Sequence, residues 1–336
     1  MDSTDLGLWT VVLAIVGGAI RISTPFLFVS LGETITEKSG RINLGLEGTL
    51  VFGAMIGYGV AYLVGQGWAD AAIAAAVAQG LPAPALTAHD YTAAAWVGVL
   101  AAGVAGAVFG IVHGLICSLP KVNDIAVGIA MMLFGMGIAF YFGKPFIAPS
   151  APDLPAIPFA GWSDIEQVRV AFNVNALFII GLVLAVALWW AFRNTRLGLI
   201  IRVVGDSADA ARALGYNVNL VRTLSTGAGG VLAGIGGAYL SLYYPGSWNE
   251  GLSSGQGLMA VALVIFARWN PLACFWAALL FGATSALGPA LQAVGVTEGY
   301  YLFNAAPYIL TLGLMVITAS KKRALAGAPG ELSITK

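Results

Sequence analysis

The sequence predicts an all-α polytopic membrane protein with about nine transmembrane helices, a faint inverted internal repeat and one helix held outside the membrane. Three observations carry that expectation. Hydrophobic residues make up 59% of the 336-residue chain and charged residues only 10%, a balance foreign to soluble domains. Several apolar runs approach or exceed the ~20 residues that a helix needs to cross a ~30 Å hydrocarbon layer. The 44 glycines suit helices that meet closely in lipid, where small residues let backbones approach. Nothing alternates as a membrane barrel strand would, and backbone in lipid must be satisfied within its own segment, so the spans are helices. The formal net charge of +0 lacks the basic footprint of a nucleic-acid-binding protein.

Taken in order, the crossings fall near residues 8–29, 48–64, 93–115, 125–142, 172–192, 221–242, 258–266, 271–294 and 303–319. Arg21 and Pro25 interrupt the first, and the seventh is short and flanked by glycine. Asp2 and Asp5 precede the first run where a cleaved signal peptide would be basic, so that run reads as a retained span. Lys38, Arg41, Lys121, Arg193, Arg196, Arg202, Arg212, Arg222, Arg268, Lys321, Lys322, Arg323 and Lys336 fall on one side of this topology. Only Lys144 and Arg169 fall on the other. Basic loops stay in the cytoplasm, which places the C-terminus inside, with the trio Lys321–Arg323 as a topological stop, and the N-terminus outside.

Two outer segments stand apart. Residues 65–91 are alanine-rich, carry LPAP and contain no Lys or Arg; residues 144–169 begin KPFIAPSAPDLPAIPF. The prolines suit an extended, rigid strap. Either segment could meet an outside partner or serve as a tether between spans.

The repeat is read from small residues. Ala102, Gly106, Gly110 and Gly114 recur every four positions through one span, and Ala278, Gly282, Ala286 and Ala290 do so through another. Each span follows a glycine-marked helix start (NLGLEGTLVFGAM, 43–55; SGQGLMAVALVIF, 254–266) and precedes a further apolar run. Five crossings separate the equivalents, so the halves, 8–143 and 172–320 of one domain spanning 1–336, run inverted as in many transporters.

The polar island at 193–216, RNTRLGLIIRVVGDSADAARALGY, carries four arginines between two apolar spans. Ser207 or Asp206 can cap a short helix that ends at Gly215. Such a helix could slot into a groove on a separate protein; an amphipathic helix lying on the inner membrane surface explains the arginines too. At 43–48, Asn43 can cap a helix, Glu47 sits where a helix N-terminus favours negative charge, and Gly48 permits a tight backbone. This reads as a gate or pathway wall, or as helix punctuation. The counterpart, 248–257, gathers Asn249, Glu250, Ser253, Ser254 and Gln256 beside Tyr243, Tyr244 and Trp248. Aromatic faces with hydroxyl and amide groups suit a stacking base and a ribose, or an interfacial loop.

Other chemistry is thin. There is no GxxxxGK[ST] to cradle a phosphate, and acidic and basic residues inside the spans are few for an ion relay. His113 is a lone imidazole, His89 lies in a loop, Cys117 and Cys274 form no CxxC, and the stripe Met131, Met132, Met136 reads as packing, so no metal or cofactor is expected.

Residues 31–48, LGETITEKSGRINLGLEG, resemble the E-x-x-G-x-x-N-x-G-x-E-G signature of permeases of ATP-binding-cassette importers, in the nucleoside branch of a family that also serves simple sugars and branched-chain amino acids. Glu37, Gly40, Asn43, Gly45, Glu47 and Gly48 carry the match. Sugar members usually show a G-G-I-D-L-S-type sequence here and amino-acid members an I-N-F-A-H-G-type one. Arg202, Gly205, Ala210, Ala211 and Gly215, with Asp206 and Arg212 among them, resemble the family's coupling segment, and 233–272 also matches. Lys38 stands where arginine is more usual, and 65–91 is longer than the pattern requires. The resemblance implies an inner-membrane permease, itself no enzyme, that works by alternating access with an ATPase subunit, a sibling permease and a lipid-anchored substrate-binding protein. The alternatives are an ion-coupled secondary transporter of a small polar solute, which shares inverted repeats, and a structural subunit of a redox complex, for which the chain offers no haem-type ligand pair.

Overall fold

The computed structural model describes residues 8–296, 298–318 and 327–334. Asp2, Asp5, Lys321–Arg323 and Lys336 lie outside the described residues. In chain order the first helices are α1 (Leu8–Lys38), α2 (Leu46–Ala78), α3 (Thr92–Ile116), α4 (Asp124–Gly143), α5 (Glu166–Ala171), α6 (Ala176–Asn194), α7 (Arg196–Asp206) and α8 (Ala208–Ala213). There follow α9 (Val218–Leu242), α10 (Gln256–Phe266), α11 (Pro271–Ala293), α12 (Tyr300–Asn304), α13 (Ala306–Thr318) and α14 (Gly330–Ile334).

Among the described residues six helices, α1, α2, α3, α4, α6 and α11, are long and apolar enough to cross a membrane. The other three expected crossings differ from these for separate reasons. α9 has 25 residues but carries Thr223, Ser225, Thr226 and Ser241, all buried. It packs against α1, α2 and α3, so protein rather than lipid answers its polarity: the Ser241 hydroxyl donates to the Ala54 carbonyl at 2.8 Å. α10 has 11 residues, about 16 Å of helix, half of what the hydrocarbon layer demands. The last stretch is divided between α12 and α13, the latter of 13 residues.

Arg21 and Pro25 do not interrupt α1, which runs unbroken for 31 residues. One turn ahead of the proline, Ser23 and Thr24 both donate hydroxyls to the Ile20 carbonyl; membrane helices tolerate a proline where neighbouring groups and helices pack around it. Arg21 does not face lipid unpaired; its guanidinium donates to the Gly17 and Val170 carbonyls and ties α1 to α5. The alanine-rich outer segment is likewise less of a loop than its length suggested. α2 continues through it to Ala78, because alanine is the strongest helix former, and only the LPAP stretch lies beyond the helix. The proline-rich strap is extended as expected; Ala156–Pro158 pairs antiparallel with Asn173–Asn175.

The two small-residue stripes are helix seams. α3 packs on α9, and α11 on α1. At the first seam Gly106 and Gly230 face one another so closely that a Cβ on either would strike the other's carbonyl. At the second, a Cβ on Gly282 would lie 2.5 Å from the Ala19 carbonyl oxygen. Backbone-to-backbone approach is how helices gain packing energy in lipid, where no hydrophobic drive exists between them.

Gly106→Leu should therefore separate α3 from α9 and cost more than the ~1–3 kcal/mol usual for overpacking, because backbone cannot step aside as a side chain can. A Cβ on Gly137 would meet nothing within 4 Å, so Gly137→Ala should leave stability unchanged. Thermal unfolding of the detergent-extracted protein separates the two; equal melting temperatures would refute the seam.

Candidate functional site

The segments at 43–48 and 248–257, far apart in the chain, meet in space. Glu47 stands in the first turn of α2 and is 4% exposed. One oxygen of its carboxylate accepts the Ser253 hydroxyl at 2.5 Å and the Gly255 N–H at 3.1 Å; the other accepts the Gly257 N–H at 2.6 Å. Gly255, the residue ahead of α10, is left-handed at φ 83° and supplies no side-chain cap. Glu47 supplies it instead, so one carboxylate serves the starts of both α2 and α10, where the helix dipoles favour negative charge. A Cβ on Gly257 would lie 2.7 Å from Glu47 Cα and Oε2, so only glycine lets α10 approach this far.

Asn43 differs from expectation. The residue capping α2 is Gly45, without a side-chain hydrogen bond. Asn43 instead folds the turn ahead of the helix, its Oδ1 accepting the Gly45 N–H at 2.9 Å while its own N–H donates to Glu33 Oε1 at 2.9 Å. Gly48 packs on α4, a Cβ there falling 2.7 Å from Met132 Cα, so the Met131–Met132 stripe is packing at this seam. Of the second segment, Ser253 is buried and Gln256 partly so, while Asn249, Glu250 and Ser254 are exposed. Asn249 Oδ1 accepts the Gly251 N–H, and the Ser254 hydroxyl donates to the Gly251 carbonyl. Two buried polar atoms here, Trp248 Nε1 and Gln256 Oε1, have no hydrogen-bond partner among the described residues.

Sequence reasoning missed Glu33 as a structural hub. Glu33 and Glu37 lie one turn apart on α1, at 0% and 2% exposure. Glu33 holds the Asn43 turn, and Glu37 Oε2 accepts the indole N–H of Trp269, between α10 and α11. Carboxylates four apart near the end of an apolar run were the available signal. Nearby, Arg41 donates to the Cys117 carbonyl and to Asp124 Oδ1 at 2.7 Å, joining the α1–α2 turn to the α3–α4 loop. His113 is buried, its Nε2 3.5 Å from Cys117 Sγ, and among the described residues no group of His, Cys, Asp and Glu could hold a metal.

The island at 193–216 is two helices. α7 is capped by Thr195, whose hydroxyl accepts the Gly198 N–H at 3.1 Å, and Leu197 and Leu199 are exposed on it. Arg193 lies over the Trp189 ring at 4.6 Å, and Arg202 Nε reaches the Gly198 carbonyl. α8 is capped by Ser207, not Asp206; the hydroxyl accepts the Ala210 N–H at 3.2 Å. It ends at Gly215, φ 84°, with Tyr216 N–H on the Ala211 carbonyl and Gly215 N–H on the Arg212 carbonyl, the hydrogen-bond pair of a glycine-terminated helix. Ala208 and Ala211 are buried with Val204 and Val218, Gly205 packs on the Lys38 carbonyl at the end of α1, and Asp206, Ala210, Arg212 and Gly215 face outward. Arg212 pairs with Asp209 at 2.7 Å on that open face. The short helix thus has one side fastened to the bundle and the other free.

The fold, a bundle of long apolar helices carrying a capped helix outside it, defines a multi-pass membrane protein. The chain belongs to the branched-chain amino acid transport system / permease component family, whose model matches residues 14–319. It is 29% identical to a putative glucose ABC transporter permease protein of Haloferax volcanii, over 81% of this chain and 76% of that one. A guanosine ABC transporter permease protein of Bacillus subtilis is 28% identical over 89% of both chains. A nucleoside ABC transporter permease protein of Lactococcus lactis is 26% identical over 91% of this chain and 92% of its own. The chain is thus a permease component, and ATP hydrolysis lies on a separate subunit.

Glu47→Ala would leave two backbone N–H groups and a hydroxyl without their acceptor, at about 1–3 kcal/mol for each buried donor. Uptake should be lost and the melting temperature lowered, whereas Glu47→Gln, which keeps one acceptor oxygen, should fall between. Wild-type uptake and melting in Glu47→Ala would show that α10 needs no such cap.

Proposed function

We propose that this chain forms the translocation path of an ATP-driven importer for nucleosides, residing in the bacterial cytoplasmic membrane and working by alternating access. The observation that carries the coupling role is α8, a capped helix with one face fastened to α7 and the start of α9 and the other open. A helix built this way can seat in a groove of an ATPase subunit and pass its displacement to the bundle. α7, with its exposed leucines and neighbouring arginines, suits the membrane surface, so the two readings of the island divide between its two helices. Arg202, Gly205 and Ala211 then serve the hinge with the bundle, and Asp206, Ala210, Arg212 and Gly215 the docking face.

On this reading the chain is one permease domain of about nine crossings, completed by α9, the half-length α10 and the α12–α13 stretch, with its C-terminus in the cytoplasm. The packing of α3 on α9 and of α11 on α1, matched by α2 on α9 and α10 on α1, supports two inverted halves in which α1 corresponds to α9. The path follows the joint between the halves, where Glu47 fastens α10 and Asn43, Gly48, Asn249, Glu250, Ser253, Ser254 and Gln256 gather. A sibling permease completes the core, and a lipid-anchored binding protein delivers solute to the far mouth. The guanosine and nucleoside permeases among the relatives, with the Glu37–Gly48 motif, favour a nucleoside; the glucose permease favours a simple sugar as the second reading. An ion-coupled transporter would need no ATPase, and membership of a permease-component family speaks against it.

The purified importer in vesicles should hydrolyse ATP faster with guanosine and not with glucose; the reverse would replace the nucleoside by a sugar. Gly215→Trp, which puts a bulky residue at a left-handed position, and Arg212→Glu, on the open face, should each abolish that stimulation. Unchanged stimulated hydrolysis in both would remove α8 from the coupling role.

A further inference from the structure

Ser207 caps α8 through the third N–H of the helix, that of Ala210, which leaves the first, that of Ala208, to be answered from elsewhere. The answer comes from 123 residues away. Glu331, in the short tail helix α14, accepts the Ala208 N–H on Oε1 at 2.8 Å. Its other oxygen accepts Arg222 Nη2 of α9 at 3.0 Å, and Arg222 Nε donates in turn to the Ser39 carbonyl, one residue past α1, at 3.1 Å. A single carboxylate therefore stands where the docking helix, the central helix α9 and the end of α1 meet. The arrangement is tight: a Cβ on Gly40 would lie 3.0 Å from both Glu331 Cβ and Arg222 Nη2.

Shelter distinguishes this ion pair from its neighbour. Arg222 and Glu331 side chains are 12% and 23% exposed, against 58% and 95% for Arg212 and Asp209. An exposed pair contributes almost nothing, whereas breaking a sheltered one strands a charge. Arg41, Asp124, Arg222 and Glu331 also line one open cavity of about 360 Å³ at this end of the bundle, so the tail forms part of a wall there rather than lying on bare surface. Among the described residues no ion pair joins α8 directly to α9; apart from the carboxylate, α8 is held by the small apolar cluster of Val204, Ala208, Ala211 and Val218.

We propose that Glu331 is a positioning residue of the coupling machinery, a clip by which the C-terminal tail fastens the start of α8 to α9 and α1 so that displacement of α8 reaches the bundle undiminished. This rests on the reading of α8 as the ATPase contact. Apolar packing alone would let α8 tilt on its short loops; a carboxylate bonded to a backbone N–H and a guanidinium at once resists tilt in two directions, since both bonds are directional and charge-assisted.

The complete importer in vesicles tests the clip with Glu331→Ala, Glu331→Gln and Arg212→Glu, scored by solute moved per ATP hydrolysed and by amide exchange across residues 208–213. Glu331→Ala should accelerate that exchange and lower solute per ATP roughly tenfold, the size expected for losing a hydrogen bond to a charged group. Glu331→Gln keeps an acceptor for Ala208 but no charge for Arg222, so exchange should stay slow while solute per ATP falls by less. Unchanged exchange in Glu331→Ala would show that no clip holds α8. Accelerated exchange with a wild-type transport ratio would show a clip that transmits nothing. Either overturns the proposal. A defective Arg212→Glu beside a wild-type Glu331→Ala overturns the clip alone, whereas wild-type behaviour of both Arg212→Glu and Gly215→Trp overturns the docking reading and the clip with it.

Discussion

The Glu47 carboxylate is the interaction on which the second half of this fold depends. α10 begins beside α2, about 12 Å along α4 from that helix's start judging by the packing of Gly48 on Met132. A helix that starts inside a bundle presents its first N–H groups to protein, where water cannot answer them. Glu47 answers those of Gly255 and Gly257 and the Ser253 hydroxyl besides. Burying a carboxylate is costly, but three charge-assisted hydrogen bonds and two helix starts offset that cost. The same bonds set the register between α2 and α10 and pin the polar run between Trp248 and Gln256 against the first half. What the carboxylate holds is therefore not one contact but the joint itself.

From that joint outward, α1 works as the shared lever. Its middle is tied to α5 through Arg21, its flank carries the α11 seam, and its last turns hold Asn43 through Glu33 and Trp269 through Glu37. Gly205 of α7 rests on its final carbonyl. A close-packed interior moves in pieces rather than deforming smoothly, so a push delivered near Gly205 cannot be absorbed locally. It must shift α1 with both the Asn43 turn and the Trp269 turn attached, one on each side of Glu47. Through α1, the surface around Gly205 is thus linked to the Asn43 and Trp269 turns.

Much of this was legible in the residues. Spans near 93–115, 125–142 and 271–294 lie within two residues of α3, α4 and α11, because each is apolar throughout and bounded by polar or turn-forming residues. α8 was legible down to its caps, since Ser207 and Gly215 answer local backbone needs that depend on nothing distant. What escaped was whatever depended on a remote partner. Local pattern makes Asn43 a cap for its own helix, but Glu33 recruits it elsewhere. Arg21 reads as a break because nothing local shows that the Val170 carbonyl, 149 residues away, answers it. The buried polar residues of α9 fit a crossing only once three other helices are known to surround it. Glu331 lay in a tail that no pattern marked.

The unspent hydrogen-bond capacity near the joint bears on what a path there can do. Trp248 offers an indole donor and Gln256 an amide acceptor, both buried and unanswered among the described residues, at opposite ends of one short polar run. An unmet buried polar group costs about 1–3 kcal/mol, so a solute that answered either one would gain by it. On the proposed nucleoside path, two such groups are too few to hold the solute firmly, given its several ribose hydroxyls and base edges. A passage gains from that weakness, because solute must leave as readily as it enters. Selection can then rest with the protein that delivers the solute, and the permease needs only to offer transient partners as the joint opens.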